Sequence, residues 1–69
     1  MYDVYLVYKK QHGLSPYMLN CYRNLQMAEK AIVAIDKTAK LLKSNVEHRL
    51  DYNGELYYFY ILCLNFADP

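Results

Sequence analysis

Two cysteines, two histidines and seven carboxylates hold most of the reactive chemistry of this 69-residue sequence. A thiol nucleophile needs a base within hydrogen-bond reach, so the pairing to weigh is Cys63 or Cys21 with His48. A hairpin register set by the turn signal Asn53-Gly54 puts His48 beside Phe59 on a buried face, with Cys63 beyond it. In that position His48 reads as a packed, hydrogen-bonded core residue. His12, close to Lys9 and Lys10, reads as a solvated loop residue. Cys21, His48 and Cys63 show no Cys-x-x-Cys or His-x-x-x-His spacing, the local pairing from which structural zinc sites are usually built. With only Gly13 and Gly54, the chain has no glycine-rich phosphate loop. The sequence thus predicts no catalytic residue, no metal and no cofactor, and reads as non-enzymatic.

Both cysteines are expected as buried free thiols, since free Cys is among the most buried residue types. The chain opens at Met1 directly into a strand pattern, without a basic segment and apolar core of secretory type. A cytoplasmic location follows as an expectation, in a host cytoplasm if the protein is viral. The apolar run of residues 56–64 is about half a membrane span, so no membrane partner is expected.

Tyrosine remains: nine Tyr and no Trp in a chain whose net charge is only +1. That charge excludes both a strongly acidic nucleic-acid mimic and nonspecific binding driven by excess cations. At 55% hydrophobic and 22% charged, the composition is that of a folded protein. Its length predicts a single small α+β domain over residues 1–69. A chain this short buries about 60% of its unfolded surface, which favours self-association as a supplement to the core.

The elements that must position these residues are legible from periodicity. Residues 2–8 read as a strand with Tyr2, Val4, Leu6 and Tyr8 on one face and Asp3, Tyr5, Val7 and Lys9 on the other. A loop containing Gly13 and Pro16 leads to a weaker strand over residues 17–23. Asn24 is a helix N-cap, and Ala28, Ile32, Ile35, Ala39 and Leu42 form an apolar stripe, broadened by Ala31 and Thr38. Asp36 with Lys40 would then be an i,i+4 pair, with Lys40 and Lys43 at the negative end of the dipole and Asn45 as the stop. Lys30, Lys37, Lys40 and Lys43 make a loose basic stripe, read as a solvated helix face.

Residues 46–52 alternate Val46, His48, Leu50 and Tyr52 with Glu47, Arg49 and Asp51, the pattern of an edge strand. Asn53-Gly54 predicts a two-residue type I′ hairpin into residues 55–64. That register sets Tyr52 opposite Glu55, Leu50 opposite Tyr57, Val46 opposite Ile61, Arg49 opposite Tyr58 and Glu47 opposite Tyr60. Phe66 would cover the sheet edge. The expected architecture is β-β-α-β-β: one four-stranded, mostly antiparallel sheet in the order 2-1-4-3, with a single helix on one face.

The last strand is apolar or aromatic at every position after Glu55, so both its faces must be covered. Tyr57, Phe59, Ile61 and Cys63 meet the helix. Leu56, Tyr58, Tyr60, Leu62 and Leu64 have no partner in the chain, and Arg49, Glu47, and Tyr5 and Val7 or their alternates extend their face. Tyr supplies large apolar area at low rotamer cost and is enriched at interfaces. The predicted function is therefore protein–protein interaction through this face, as a homodimer, with a larger protein, or both. A second reading is single-stranded nucleic-acid binding, with bases stacked on Tyr58 and Tyr60 beside Arg49, Lys9 and Lys10. The glycine-and-aromatic pattern of an RNA-recognition strand is missing, and anions nearly balance the cations, which places it second.

No motif is specific enough to name a family. In size and architecture the chain is similar to many small accessory proteins, including those by which bacteriophages inhibit or redirect host enzymes. That likeness covers no diagnostic residues and implies a small inhibitor or modulator of a larger enzyme.

Overall fold

A computed structural model describes residues 2–42 and 47–66, with the backbone alone for Tyr2 and Phe66. Its elements are β1 (Tyr2–Lys10), β2 (Tyr17–Tyr22), α1 (Leu25–Ile35), β3 (Lys40–Leu42), β4 (Arg49–Asn53) and β5 (Tyr58–Phe66). Asn24 caps α1, its side-chain oxygen accepting from the amides of Gln26 at 2.7 Å and Met27 at 3.4 Å. Ala28 and Ile32 are the buried helix residues, and alanine at the contact lets the helix approach the strands closely.

The helix is shorter than its periodicity predicts, because Asp36 ends it. The Asp36 carboxylate accepts from the Thr38 amide at 3.0 Å and from the Thr38 hydroxyl at 2.5 Å, an Asx-type turn that competes with the helical ladder. The same carboxylate accepts from the amides of Leu56 at 3.0 Å and Tyr57 at 3.3 Å. Lys40 and Leu42 consequently lie in a short strand, so the Asp36–Lys40 helix pair does not form and the last turn carries no basic residue. The expected roles of Lys43, Asn45 and Val46 lie outside the described residues.

The protein is an α+β fold with one helix and an antiparallel sheet of five strands, not four, in the order β2-β1-β5-β4-β3. The four expected strands keep their relative positions, and β3 is added at the edge beside β4. The hairpin also differs. Asn53 stays in β4, opposite Tyr58, and residues 54–57 form the connection, with the Gly54 amide donating to the Tyr57 carbonyl at 2.9 Å.

Neither Asn53 nor Gly54 has positive φ, so this is not a type I′ turn. Gly54 is needed for a different reason: an added Cβ would fall on the Asp36 carboxylate. With the longer connection, Leu50 pairs with Ile61 in place of Tyr57, Arg49 with Leu62, and Tyr52 with Phe59. This displacement is an even number of residues. Every side chain paired in β4 and β5 therefore keeps the face expected of it.

On the helix side, Val7, Ala28, Ile32, Tyr52, Phe59 and Ile61 form the core. The Tyr52 hydroxyl donates to Glu29 Oε1 at 2.8 Å, tying β4 to the helix. Burial and then Glu29 push this phenol far above its ordinary range, so it stays a donor. His48 is not a core residue. It sits exposed in the turn before β4 with φ 61°, its Nε2 3.3 Å from Glu47 Oε1, and only its carbonyl engages the sheet, accepting from the Cys63 amide at 2.8 Å. The Phe66 backbone ends β5 opposite Tyr2, and its expected edge-covering side chain lies outside the described residues. Among the described residues no helix is long and apolar enough to cross a membrane.

Candidate interaction face

Directly paired residues in an antiparallel sheet project to the same side. Away from the helix, Val4 pairs with Leu64, Leu6 with Leu62 and Tyr8 with Tyr60 across β1 and β5. Cys21 and Met18 extend the face on β2, opposite Leu6 and Tyr8. Arg49, Asp51 and Asn53 extend it on β4, opposite Leu62, Tyr60 and Tyr58. The two sides of the sheet contrast sharply in burial. Val7, Phe59 and Ile61 are completely buried on the helix side, while every described side chain of the open face is half-buried or exposed. Leu64 keeps 37% of its surface in solvent and Met18 52%.

Packing within the face is specific. The Tyr8 and Tyr60 rings stack at 4.7 Å between centroids and 10° between planes, and the Arg49 guanidinium lies 4.1 Å from the Tyr60 centroid. Tyr8 stands on the β1 side of Tyr60 and Arg49 on the β4 side, so the ring is held between them. Arg49 Nε donates to Asp51 Oδ1 at 2.7 Å, and this hydrogen bond is the chief cause of the raised Arg49 pKa. Burial pushes the Tyr58 phenol up, with Arg49 opposing and Asp51 reinforcing the shift. At one end of the face, the loop between β1 and β2 brings His12 and Pro16 over Lys10, Arg49, Asn53, Tyr58 and Tyr60. They line an open cleft of about 430 Å³.

Of the residues singled out in the sequence, Tyr58, Tyr60, Leu62, Leu64 and Arg49 come together here. Tyr5 and Val7 do not: Tyr5 pairs with Cys63 and Tyr22 on the helix side and packs against the core, and Val7, opposite Ile61, is part of that core. Leu56 lies in the connection before β5, 60% exposed, off the sheet face. Glu47 is exposed in the turn with His48. Lys9 points to the helix side, its Nζ 3.9 Å from the Tyr57 ring centroid and 5.7 Å from that of Tyr17. A hydrogen bond with Tyr17 is the main reason its pKa is raised. Lys10, one residue on, lines the cleft instead.

Val4, Leu6 and Tyr8 were readable as one face of the first strand, but their side of the sheet depends on pairing with β5. Met18 and Cys21 were not readable, because a bulge at Leu19 changes the parity of β2.

The cysteines are free, and neither is fully buried: Cys21 is exposed and Cys63 half-buried. They occupy opposite faces of the sheet, Cys21 opposite Leu6 and Cys63 opposite Tyr5, so they do not face one another for a disulfide. Burial, and then Asp3, push the Cys63 thiol up, away from the thiolate a nucleophile requires. Among the described residues no group of three His, Cys, Asp or Glu side chains could hold a metal ion.

Fold and face together define a two-layer α+β protein with one sheet surface packed by a helix and the other left open. Compared with known proteins, the chain matches no family model, no curated protein and no solved structure.

Proposed function

We propose that this chain is a non-enzymatic protein–protein interaction module whose open sheet face forms a homodimer, grips a larger protein, or does both. The supporting observation is the apolar band of Val4, Leu6, Leu62 and Leu64 across the adjacent strands β1 and β5, solvent-accessible throughout. Contiguous apolar patches of this kind mark interaction sites more often than free surface. A small core gains from covering it, and a two-fold homodimer is the commonest way to do so.

Single-stranded nucleic acid is the weaker reading. Stacking a base requires a free aromatic face, and Tyr60 has Tyr8 on one side and Arg49 on the other. Lys9, one of the cations assigned to that role, is engaged with Tyr17 and Tyr57 on the opposite side. Within the interaction reading, the larger protein is an enzyme that this chain inhibits or modulates in the cytoplasm, as small size and free thiols favour.

Sedimentation equilibrium over a wide concentration range, together with pull-down on immobilised protein, tests the proposal. The expected result is a dimer mass or a stoichiometric partner, in either case lost on Leu62→Asp. A monomer at every concentration that also retains no partner overturns it, as does unchanged behaviour of the Leu62→Asp protein.

A further inference from the structure

The cleft at the rim of the open face has a lining whose charge is all of one sign. Lys10, His12 and Arg49 contribute cationic or cation-capable groups, Tyr58 and Asn53 contribute hydroxyl and amide donors, and no carboxylate is among the lining residues. Lys10 and His12 have no ion-pair partner among the described residues. Arg49 is held by its contact with Tyr60 and by the bond from Nε to Asp51, an arrangement that fixes the plane of the guanidinium. The volume of about 430 Å³ leaves ample room for one carboxylate side chain.

We propose that this cleft is a carboxylate-binding site that receives an acidic side chain of the protein docking on the open face. The inference rests on the interaction reading above and narrows the partner to one that brings an Asp or Glu beside an apolar surface. A second copy set face to face does not supply that acid from its strands. The face's one strand carboxylate among the described residues, Asp51, is already bonded to Arg49. The occupant assigned to the cleft is accordingly an acid of a different protein, and a rise to dimer mass that is lost on Glu47→Gln or Glu55→Gln would show instead that a second copy fills it from a loop. A nucleic-acid backbone fits less well, because the cleft holds only Lys10, His12 and an Arg49 already bonded to Asp51, and the net charge is only +1.

The test is an NMR shift titration at low salt with a triglutamate peptide, and in parallel with inorganic phosphate and a short oligothymidylate. Saturable shifts centred on Lys10, His12, Arg49 and Tyr58 with triglutamate are expected. Lys10→Gln should weaken binding about tenfold, the scale of one charge-assisted hydrogen bond, and Lys30→Gln on the helix should leave it unchanged. Arg49→Lys, which keeps the charge and loses the planar fork, should also weaken it.

Absence of saturation, equal shifts at Lys30, insensitivity to Lys10→Gln, or tighter binding of phosphate or oligothymidylate than of triglutamate would each overturn the assignment. Repeating the titration on the Leu62→Asp protein separates the two proposals. Peptide binding that survives while docking is lost supports the cleft independently, and a cleft that fails in a protein still able to dock removes this inference alone.

Discussion

Gly54 lies against the carboxylate of Asp36, so close that a methyl group at Gly54 would occupy the space of Oδ2. Asp36 is only 2% exposed and binds the Thr38 amide and hydroxyl together with the amides of Leu56 and Tyr57. One carboxylate thus ends the helix and anchors the β4–β5 connection. Gly54→Ala should lower the melting temperature by several degrees by displacing that carboxylate. An unchanged melting curve would show that the connection can shift without cost.

The same contacts give a pH dependence with a definite sign. Chiefly through the Thr38 hydroxyl bond, and against burial, the Asp36 carboxyl is held below its ordinary value of 3.8. A depressed folded-state value means that the unfolded chain takes up the proton first on acidification. The stabilisation is complete above pH 3.8 by a margin of about one unit and is lost as pH falls through the folded value. Denaturant midpoints measured from pH 7 downward should therefore fall in the acid range, and Asp36→Asn should be less stable at neutrality with a shallower acid limb.

Burial contrasts across β5 predict two kinds of substitution. Phe59→Ala removes a fully buried ring and should cost about 3 to 5 kcal/mol in urea unfolding. Leu64→Ala, on the open side, should change monomer stability by about 0.5 kcal/mol or less while weakening association. Equal effects at the two positions would mean that the open face is covered in the monomer.

The hydrogen bond from Tyr52 to Glu29 crosses from sheet to helix at 2.8 Å. Tyr52→Phe should cost about 1 kcal/mol, and a double-mutant cycle with Glu29→Ala should recover most of it as coupling.

Thiol labelling reports on both faces at once. Cys21 should react quickly with a maleimide and Cys63 slowly, given their exposure and the raised Cys63 pKa. If the open face closes a dimer, Cys21 labelling should slow as protein concentration rises while Cys63 is unaffected. Concentration-independent rates at Cys21 would count against self-association there.

Much of this arrangement was legible because it depends on parity along a strand. Tyr57, Phe59, Ile61 and Cys63 could be separated from Tyr58, Tyr60, Leu62 and Leu64 by alternation alone, and Asn24 announced the helix start. The helix end was hidden, because Ala39 and Leu42 continue the stripe and the Asp36 carboxylate that turns onto Thr38 is also held by the amides of Leu56 and Tyr57, distant in sequence. Asn53-Gly54 read as a tight turn for the same reason: the glycine answers a tertiary contact that local propensity does not register. Tyr5, Val7 and Lys9 were misplaced because the side taken by β1 follows from its pairing with β5, and Met18 and Cys21 could be assigned no face because a bulge leaves no composition signal.

The connection over residues 54–57 carries a further consequence for how this chain can change. Because the pleat repeats every two residues, inserting or deleting a pair there slides β5 along β4 with each side chain still on its own side. A one-residue shift of that register would turn the strand over, placing Tyr58 and Tyr60 under the helix and Phe59 and Ile61 in water. Length variation here is therefore confined to changes that the loop absorbs, leaving β5 paired with β1 and the amides of Leu56 and Tyr57 at the Asp36 carboxylate.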